Sequence, residues 1–273
     1  MFDGRIDIGA FEFEQLPEVD SLVVGTTEDG VNAFDNVTSL REAITFANSQ
    51  PGAATVTFDP ALFSSPQRIS LNATLGELAV TDAVAIQGPG ANLLTIDASS
   101  ADPTPADNLG DGIRVLNIDD GNGGTALPVE LAGFTLTGGD ISGQGGAIRS
   151  LEALTIRDAT ISTNHAARSG GGIYARYGSL TVVDSVITGN STNAGTGFDA
   201  NGGGIAALDA ALEIFGTLVS GNEAVGSGSD GGGIYAVRTA VTISDSTIAA
   251  NSTNASGSDG GGIFVQRLSS ARS

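Results

Sequence analysis

The chain of 273 residues contains no cysteine, no tryptophan and no lysine. Without cysteine, the protein has neither a disulfide framework nor a thiolate metal site. All 11 basic residues are arginine, against 31 acidic residues, and the net charge is −20 at pH 7. Binding to nucleic acid or to anionic lipid requires clusters of basic residues, so we expect neither partner. Acidity of this degree favours cation binding, solubility or life at high salt.

Long apolar runs are also missing. No stretch approaches the roughly 18 consecutive apolar residues of a membrane-spanning helix, so we expect no transmembrane segment in this chain. Residues 1–15 lack the basic start and apolar run of a signal peptide. Apolar residues at helical spacing are confined to one short segment, whereas glycine is abundant at 40 residues. These absences favour a β-rich chain.

A short run of glycines followed by isoleucine recurs along the second half of the chain. From one isoleucine to the next the spacing is 25, 32, 29 and 29 residues. A period of this length is typical of a solenoid built from stacked repeats. A β-propeller is the rival fold, but each of its blades needs about 40 residues or more. The five copies end at Ile148, Ile173, Ile205, Ile234 and Ile263.

Each repeat carries two further apolar anchors, seven residues apart. Apolar residues alternate with threonine around the first anchor, and a two-residue period is that of a β-strand. We therefore expect three short strands per coil and an all-β parallel β-helix, with coils about 4.8 Å apart. The predicted inward columns are Ile148/Ile173/Ile205/Ile234/Ile263, Leu154/Leu180/Leu212/Val241 and Ile161/Ile187/Val219/Ile248.

An asparagine follows the second anchor of each repeat at a constant distance. One interpretation is a polar row on the outer surface of the solenoid. The other, which we favour, is that each asparagine holds a corner and bonds the backbone or the asparagine of the next coil. The predicted structural ladder is Asn164, Asn190, Asn222 and Asn251.

A single helix is predicted ahead of most of the strands. Ser39 and Glu42 have the spacing of a capping box, and Pro51 ends the element. Because a solenoid needs a cover over its first coil, we expect an N-terminal capping α-helix at about residues 39–49. Among the irregular coils that follow, a strand is expected at residues 113–115.

The predicted organisation is one β-helix domain at residues 36–267, with regular coils at 145–267. Residues 16–35 are expected to form a linker and the first strand. We expect residues 1–15 to be the end of a preceding domain or a tail. Residues 268–273 are expected to be a truncated tail, so that the chain would be a fragment of a larger protein.

Three features carry a resemblance to a known family: the stretch Thr38-Ser39-Leu40-Arg41-Glu42-Ala43-Ile44, the stretch Gln87-Gly88-Pro89-Gly90, and the repeats themselves. The chain resembles bacterial right-handed parallel β-helix repeat proteins with a CSLREAI-type start, related to polymorphic outer-membrane protein repeats. It departs from that pattern where Thr38 replaces the usual cysteine and where Ile or Val replaces the usual Phe before x-x-Asn. The resemblance implies a right-handed β-helix, a secreted or cell-surface location associated with the outer membrane, and adhesion.

The residue after each repeat isoleucine is predicted to point outward. Tyr174, Tyr235 and Phe264 stand in this position. Ala206 interrupts the row, and Arg176 lies two residues beyond Tyr174. One interpretation is an aromatic row on which sugar rings stack, and the other is a row covered by a loop or a further segment. We take Tyr174, Arg176, Tyr235 and Phe264 as candidate ligand-binding residues, with extracellular glycans or other surface proteins as partners.

The glycine-rich loops before the repeats contain Asp199, Asp230 and Asp259. Carboxylates and free carbonyls in such turns can bind Ca²⁺. The nine-residue phrase of Ca²⁺-binding β-rolls does not recur, since the period here is about three times longer. We therefore expect either no cofactor or a weak Ca²⁺ site at these three aspartates.

No constellation of catalytic side chains stands out in the sequence. Right-handed β-helices also include polysaccharide lyases and glycosidases, which need clustered charged residues or two carboxylates at a set separation. His165 is the only histidine, and its place at the start of a variable loop favours a solvated residue. We therefore expect a non-catalytic secreted or cell-surface segment that acts as an adhesive or spacer surface. The alternative is a polysaccharide-active enzyme or a carbohydrate-binding β-helix.

Overall fold

The computed structural model describes residues 17–193, 200–254 and 257–267. The strands stack in parallel sheets, coil upon coil, so the predicted parallel β-helix is confirmed. The predictions for residues 1–15, for residues 268–273 and for Asp199 lie outside the described residues.

Within the described ranges, the secondary structure consists of one α-helix, two short 3₁₀ turns and a succession of short strands. The helix is α1 (Leu40–Ser49), and the 3₁₀ turns lie at Leu62–Ser64 and Ser99–Ala101. In chain order the described strands are β1 (Val23–Val24), β2 (Ala54–Phe58), β3 (Gln67–Ser70), β4 (Leu78–Val80), β5 (Val84–Gln87), β6 (Leu94–Asp97), β7 (Leu116–Ile118), β8 (Pro128–Ala132), β9 (Thr135–Thr137), β10 (Asp140–Ile141), β11 (Ile148–Ser150), β12 (Ala153–Arg157), β13 (Thr160–Ser162), β14 (His165–Ala166), β15 (Ile173–Arg176), β16 (Ser179–Val183), β17 (Val186–Thr188), β18 (Ser191–Asn193), β19 (Ile205–Leu208), β20 (Ala211–Phe215), β21 (Leu218–Ser220), β22 (Glu223–Val225), β23 (Ile234–Val237), β24 (Val241–Ser244), β25 (Thr247–Ala249), β26 (Ser252–Thr253) and β27 (Ile263–Gln266).

The described strands form four parallel sheets that extend along the axis of the solenoid. Sheet I has the order β1-β2-β5-β8-β12-β16-β20-β24, sheet II β4-β7-β11-β15-β19-β23-β27, sheet III β3-β6-β9-β13-β17-β21-β25, and sheet IV β10-β14-β18-β22-β26.

Sheet IV corrects the prediction of three strands per coil. Its strands have two or three residues, and all but β10 directly follow a repeat asparagine, in the segment taken for a loop. These strands are too short for an alternation of apolar and polar residues to be visible in the sequence. They form because backbone groups of neighbouring coils hydrogen-bond to them. The Ser191 N–H, for example, donates to the Asn164 carbonyl at 2.9 Å. A second correction concerns residues 113–115, where the strand begins later, at Leu116.

The three predicted apolar columns are present in the predicted register. Ile173 pairs with Ile205, and Ile205 pairs with Ile234, in sheet II. Their side chains are fully buried, and burying one such side chain contributes about 1.5–3 kcal/mol. Ile263, in the last described strand, is 38% exposed. The columns of sheets I and III hold the same register.

Two backbone constraints require glycine in the recurring glycine runs. Gly202 has a φ of +68°, in the left-handed region that favours glycine. A Cβ atom on Gly203 would lie 2.4 Å from the Glu223 carbonyl oxygen and 2.5 Å from that of Gly232. The coils therefore pass too closely at this corner to admit any side chain.

The repeat asparagines form a buried hydrogen-bonded ladder beside the core. Asn190 Nδ2 donates to Asn222 Oδ1 at 3.0 Å and to the Ile161 carbonyl at 2.9 Å. Asn222 repeats the pattern with Asn251 Oδ1 and the Ile187 carbonyl, both at 2.9 Å. Each of these amides thus links its own coil to both neighbours. The ladder consists of Asn164, Asn190, Asn222 and Asn251.

Helix α1 covers the first coil, as predicted. The capping box is complete, because the Glu42 N–H donates to Ser39 Oγ at 3.1 Å and the Ser39 N–H donates to Glu42 Oε2 at 2.8 Å. Leu40, Ala43 and Ile44 are buried against the first strands. None of the helices in the described ranges has both the length and the apolar character needed to cross a membrane.

Candidate functional site

The aromatic residues that the sequence singled out lie in one row of sheet II. Tyr174 pairs with Ala206, Ala206 with Tyr235, and Tyr235 with Phe264. The Tyr235 and Phe264 rings stack at 5.3 Å between centroids and 8° between planes. Tyr174 is only 6% exposed. Tyr235 and Phe264 therefore cover one face of each other, because the coil spacing is close to a stacking distance. Ligand binding by this row stays a prediction.

Arg176 lies at the end of the same strand and is held by its neighbours. Its guanidinium carbon lies 4.3 Å from the centroid of the Tyr177 ring. Its Nε atom is 3.8 Å from Asp209 Oδ2, while Arg238 bonds both oxygens of Asp209 at 2.6 and 2.7 Å. The Arg238 hydrogen bonds hold the pKa of Asp209 below its ordinary value. The charge of Arg176 is thus already countered.

Asp230 and Asp259, two of the three predicted Ca²⁺ residues, lie at one corner of successive coils. The Asp259 N–H donates to Asp230 Oδ1 at 2.7 Å, and the Asp230 N–H donates to Asn201 Oδ1 at 2.6 Å. Asp230 is half-buried and Asp259 is exposed. Asp199 lies outside the described residues. One oxygen of Asp230 already accepts a backbone hydrogen bond, and the Ca²⁺ site stays a prediction.

A cleft of about 610 Å³ lies beside sheet II, where the loop between β7 and β8 approaches the corner after β15. Tyr177 forms one wall and is 61% exposed. We call it the Tyr177 cleft, and its lining includes Asp119, Asn122, Ala126, Leu151, Glu152 and Tyr177. An exposed ring at the wall of a cleft is a surface on which an apolar sugar face can pack.

The carboxylates of the Tyr177 cleft hold the loop rather than form a hydrolytic pair. Glu152 is 4% exposed and accepts the Leu127 N–H at 2.7 Å. Burial acts to raise the pKa of Asp119, but the Gly121 N–H and Arg149 outweigh it and leave the pKa below its ordinary value. A glycosidase needs one carboxylic acid with a raised pKa. Asp119 does not supply that acid, and the Glu152 carboxylate is already bonded by the Leu127 N–H.

A second cleft, of about 230 Å³, lies between sheet IV and the segment that precedes β7. We call it the His165 cleft. Its lining includes Arg68, Asp97, Asp102, Asn108, Asp140 and His165. His165 is 3% exposed and belongs to β14, so the prediction of a solvated loop residue is wrong. The equivalent residues Ser191 and Glu223 are only half-buried, so the burial of His165 follows from the segment before β7, whose Asp102 and Asn108 line the same cleft.

Sheet IV sets two side chains of the His165 cleft, Asp140 and His165, in one row with Ser191. Asp140 pairs with His165, and His165 pairs with Ser191. His165 Nδ1 lies 3.0 Å from Ser191 Oγ, and its Nε2 lies 4.0 Å from Asp140 Oδ1. The Gly110 N–H donates to both oxygens of Asp140 at 3.0 Å. Asn108 Nδ2 donates to Ser191 Oγ at 3.2 Å, although the two residues are 83 positions apart.

Two further carboxylates approach Asp140 from the loop before β7. Asp102, Asp111 and Asp140 each have an oxygen within 4.8 Å of the others. Thr104 holds both loop aspartates, since its N–H donates to Asp102 Oδ1 at 2.8 Å and its hydroxyl lies 3.1 Å from Asp111 Oδ1. Arg68 pairs with Asp97 at the edge of the cleft.

Burial dominates the electrostatics of the His165 cleft. It lowers the pKa of His165 to about 4, so that the imidazole is neutral at neutral pH. Burial also raises the pKa of Asp140 to about 6, against the Gly110 N–H, and repulsion from Asp102 and Asp111 adds to the rise. Burial raises the pKa of Asp102 as well.

The row Asp140, His165, Ser191 has the residue types of a serine-hydrolase triad but not its geometry. The 4.0 Å between Asp140 and His165 Nε2 exceeds hydrogen-bonding distance. The Ser191 N–H donates to the Asn164 carbonyl, so it is not free to stabilise an oxyanion. The row therefore lacks two of the relationships that acyl transfer requires.

The sequence analysis did not predict this cleft, although the repeat spacing indicates that Asp140 and His165 lie together. Asp140 precedes His165 by 25 residues, the same step that separates Ile148 from Ile173. Extending the repeat by one coil toward the N-terminus would have paired Asp140 with His165. The approach of residues 102–112 has no such signal, because an irregular loop has no period.

The comparisons with known proteins provide no relative for this chain. No family model, no curated protein and no solved structure matches it. The parallel β-helix is established by its strand register. The resemblance to outer-membrane repeats, the cell-surface location and adhesion rest on sequence motifs.

Proposed function

We propose that this chain is a non-catalytic segment of a secreted or cell-surface protein, in which it acts as a rigid spacer with an adhesive surface. The continuity of the stack is the observation that supports this proposal best. From Ile148 to Ile263, successive coils pair without a change of register in sheet II. A continuous register transmits force from coil to coil along the axis.

Two features of the core favour rigidity. Sheets II and III have seven strands each, and six spacings of roughly 4.8 Å give about 29 Å of axial length. The asparagine ladder adds buried hydrogen bonds between coils, such as the 3.0 Å bond from Asn190 to Asn222. Buried amides cannot exchange partners with water, so bending the stack would leave them unsatisfied.

The charge of the surface constrains its partners. A net charge of −20 repels other copies of the chain and other acidic surfaces. Neutral glycans and basic patches on surface proteins are therefore the partners that we favour. Salt should weaken binding to a basic patch and leave binding to a neutral glycan almost unchanged.

Single-molecule force spectroscopy on the chain held between two handles tests the spacer role. We expect stepwise unfolding of coils and a lower unfolding force in Asn222→Ala, which removes one member of the buried ladder. Asn254→Ala is the matched control, because Asn254 is exposed and its side chain bonds Glu223 at the surface. Enzymatic release of reducing ends or unsaturated uronates from a polysaccharide panel would contradict the non-catalytic part of the proposal.

A carbohydrate-binding role is the second candidate function, supported by the Tyr177 cleft. The Tyr177 ring is 61% exposed at its wall, and Asn122 and Asp119 supply polar groups nearby. Protein sites for sugars combine an exposed ring with hydrogen-bonding side chains.

A glycan array with the full chain tests this second candidate. Tyr177→Ala should abolish retention of any glycan that wild type binds, because it removes the stacking surface. Tyr235→Ala is the control, since Tyr235 stacks on Phe264 and is not part of the cleft lining. Equal retention by wild type and Tyr177→Ala would rule out this cleft as the sugar site.

A further inference from the structure

We propose that Asp102, Asp111, Asp140 and His165 form a binding site for one divalent transition-metal ion of the Zn²⁺ or Mn²⁺ class. Asp140 and His165 come from β10 and β14 of sheet IV, and the other two come from the segment before β7. The site lies in the His165 cleft, apart from the Tyr177 cleft and from the predicted Ca²⁺ residues.

The Nε2 atom of His165 is the observation that points to a ligand. The side chain is 3% exposed, and Nε2 has no hydrogen-bond partner among the described residues. It lines the same cleft as Asp102 and Asp140. Buried polar atoms in native proteins almost always have a partner, so an orphan of this kind needs an explanation. A metal ion between the imidazole and the carboxylates would bond Nε2 and at the same time offset the negative charge of the three carboxylates.

The distances suit a single ion. Two ligands bonded to one ion at about 2.1 Å can be at most about 4.2 Å apart. His165 Nε2 is 4.0 Å from Asp140 Oδ1, within that limit. The three carboxylates have oxygens within 4.8 Å of one another. Binding one ion together with His165 Nε2 requires the Asp102 and Asp111 side chains to rotate toward that ion.

Neighbouring groups orient both sheet residues for this role. When His165 Nδ1–H donates to Ser191 Oγ, 3.0 Å away, the Nε2 lone pair is free on the side of Asp140. Asn108 Nδ2 fixes the same hydroxyl at 3.2 Å. The Gly110 N–H holds the Asp140 carboxylate at 3.0 Å. Metal-binding histidines and carboxylates are commonly held by hydrogen bonds of this kind.

The donor set decides the class of metal. Oxygen ligands alone would suit Ca²⁺ or Mg²⁺, whereas an imidazole nitrogen favours Zn²⁺ and other transition metals. Carboxylates bind both Zn²⁺ and Mn²⁺, and at a given site of nitrogen and oxygen ligands Zn²⁺ binds more tightly. A single nitrogen among three carboxylates therefore predicts a transition-metal ion that tolerates many oxygen ligands.

Metal binding would fasten an irregular segment to the regular stack. Asp102 and Asp111 flank that segment, while Asp140 and His165 belong to successive coils. An ion that binds only this folded arrangement stabilises it by mass action. A bound ion would thus link the segment before β7 to sheet IV.

Isothermal titration calorimetry with ZnCl₂ on the metal-free full chain tests the proposal. We expect one saturable site per chain. His165→Gln and Asp111→Asn should weaken Zn²⁺ binding by at least about 100-fold, more than the roughly 10- to 100-fold that loss of an orienting partner costs. Asp111 is exposed, and its carboxylate bonds the Thr104 hydroxyl and lies beside Asp102. Because asparagine keeps a side-chain oxygen that can accept from Thr104, Asp111→Asn should fold as wild type by circular dichroism. Ser191→Ala should weaken binding less than His165→Gln.

Asp120→Asn is the matched control, because Asp120 belongs to an acidic trio with Asp119 and Glu152 that has no buried histidine. It should bind Zn²⁺ as wild type does. A loss in Asp120→Asn equal to that in Asp111→Asn would overturn the proposal, because binding would then follow general acidity. Unchanged Zn²⁺ affinity in His165→Gln, or no saturable binding by wild type, would overturn it as well.

Discussion

Asp140 and His165 are register partners on neighbouring coils, and the nearest carboxylate oxygen lies 4.0 Å from His165 Nε2. Both residues are 3% exposed. Burial shifts their pKa values in opposite directions, to about 6 for Asp140 and to about 4 for His165. At neutral pH the pair is therefore an aspartate beside a neutral imidazole. The contributions of the two residues to the stability of the fold depend on pH in opposite directions.

The pH dependence of stability should differ between variants of this pair. Between its ordinary pKa of 3.8 and about 6, folded Asp140 keeps a proton that the unfolded chain has released, so its contribution to stability falls as pH rises. Between about 4 and its ordinary 6.5, the unfolded chain keeps a proton that folded His165 lacks, so its contribution rises with pH. The two slopes offset each other in wild type.

Melting temperatures from pH 4 to 6.5 in EDTA, compared with wild type, measure these slopes. His165→Gln should lose stability, relative to wild type, as pH rises. Asp140→Asn should gain it. The facing charges of Asp102 and Asp111 remain in both variants, so they cancel in the comparison. The same slope in both variants would contradict the assigned shifts.

Changing Ile205 in the core column should destabilise the stack. Ile205→Ala should lower the free energy of unfolding by about 2–5 kcal/mol, because it opens a cavity at a fully buried position. Ile205→Asp should cost more, since it buries an unpaired charge. Chemical denaturation measures both changes. Ile263→Ala is the matched control in the same column, and its 38% exposure predicts a smaller loss. An unchanged transition in Ile205→Asp would refute the register.

Removing one ladder asparagine should also be costly. Asn222→Ala leaves the Asn190 Nδ2 and backbone N–H groups without Asn222 Oδ1, their acceptor at 3.0 Å. A buried donor left unsatisfied costs about 1–3 kcal/mol. Thermal and urea unfolding should show the loss, while Asn254→Ala at the exposed surface should change stability by less than about 0.5 kcal/mol. Equal stabilities of the two variants would mean that water replaces the lost acceptor.

Weak Ca²⁺ binding remains a prediction for the corner of Asp230 and Asp259. Their positions on adjacent coils and the net charge of −20 favour a site of roughly millimolar affinity. Calorimetry should give a Ca²⁺-specific heat that disappears in Asp230→Asn. Equal stabilisation by CaCl₂ and by NaCl at matched ionic strength would leave only general charge screening.

The regular half of the fold was predictable from the sequence, for a physical reason. Parallel coils stack in register, so equivalent residues of each repeat fall into one column, and spacing alone identifies Ile173, Ile205 and Ile234 as partners. The asparagine positions followed in the same way. The capping box of Ser39 and Glu42 was readable because it depends on residues three positions apart.

Sheet IV and the His165 cleft could not be predicted from the sequence, because both depend on contacts between coils in the folded chain. The strands of sheet IV are too short to carry a period, and they exist because neighbouring coils offer backbone partners. The aromatic row was identified, but the mutual cover of Tyr235 and Phe264 depends on the coil spacing.

The sequence by itself determined the period, the core columns and the capping helix, since each depends on local spacing or on repetition. Only the tertiary structure decided that residues 102–112 fold back over sheet IV and bring Asp102 and Asp111 to Asp140 and His165. That approach is fastened by contacts such as Asn108 to Ser191, 83 residues apart. A contact of this range in an irregular loop leaves no pattern in the sequence, because it arises from the shape of the finished stack.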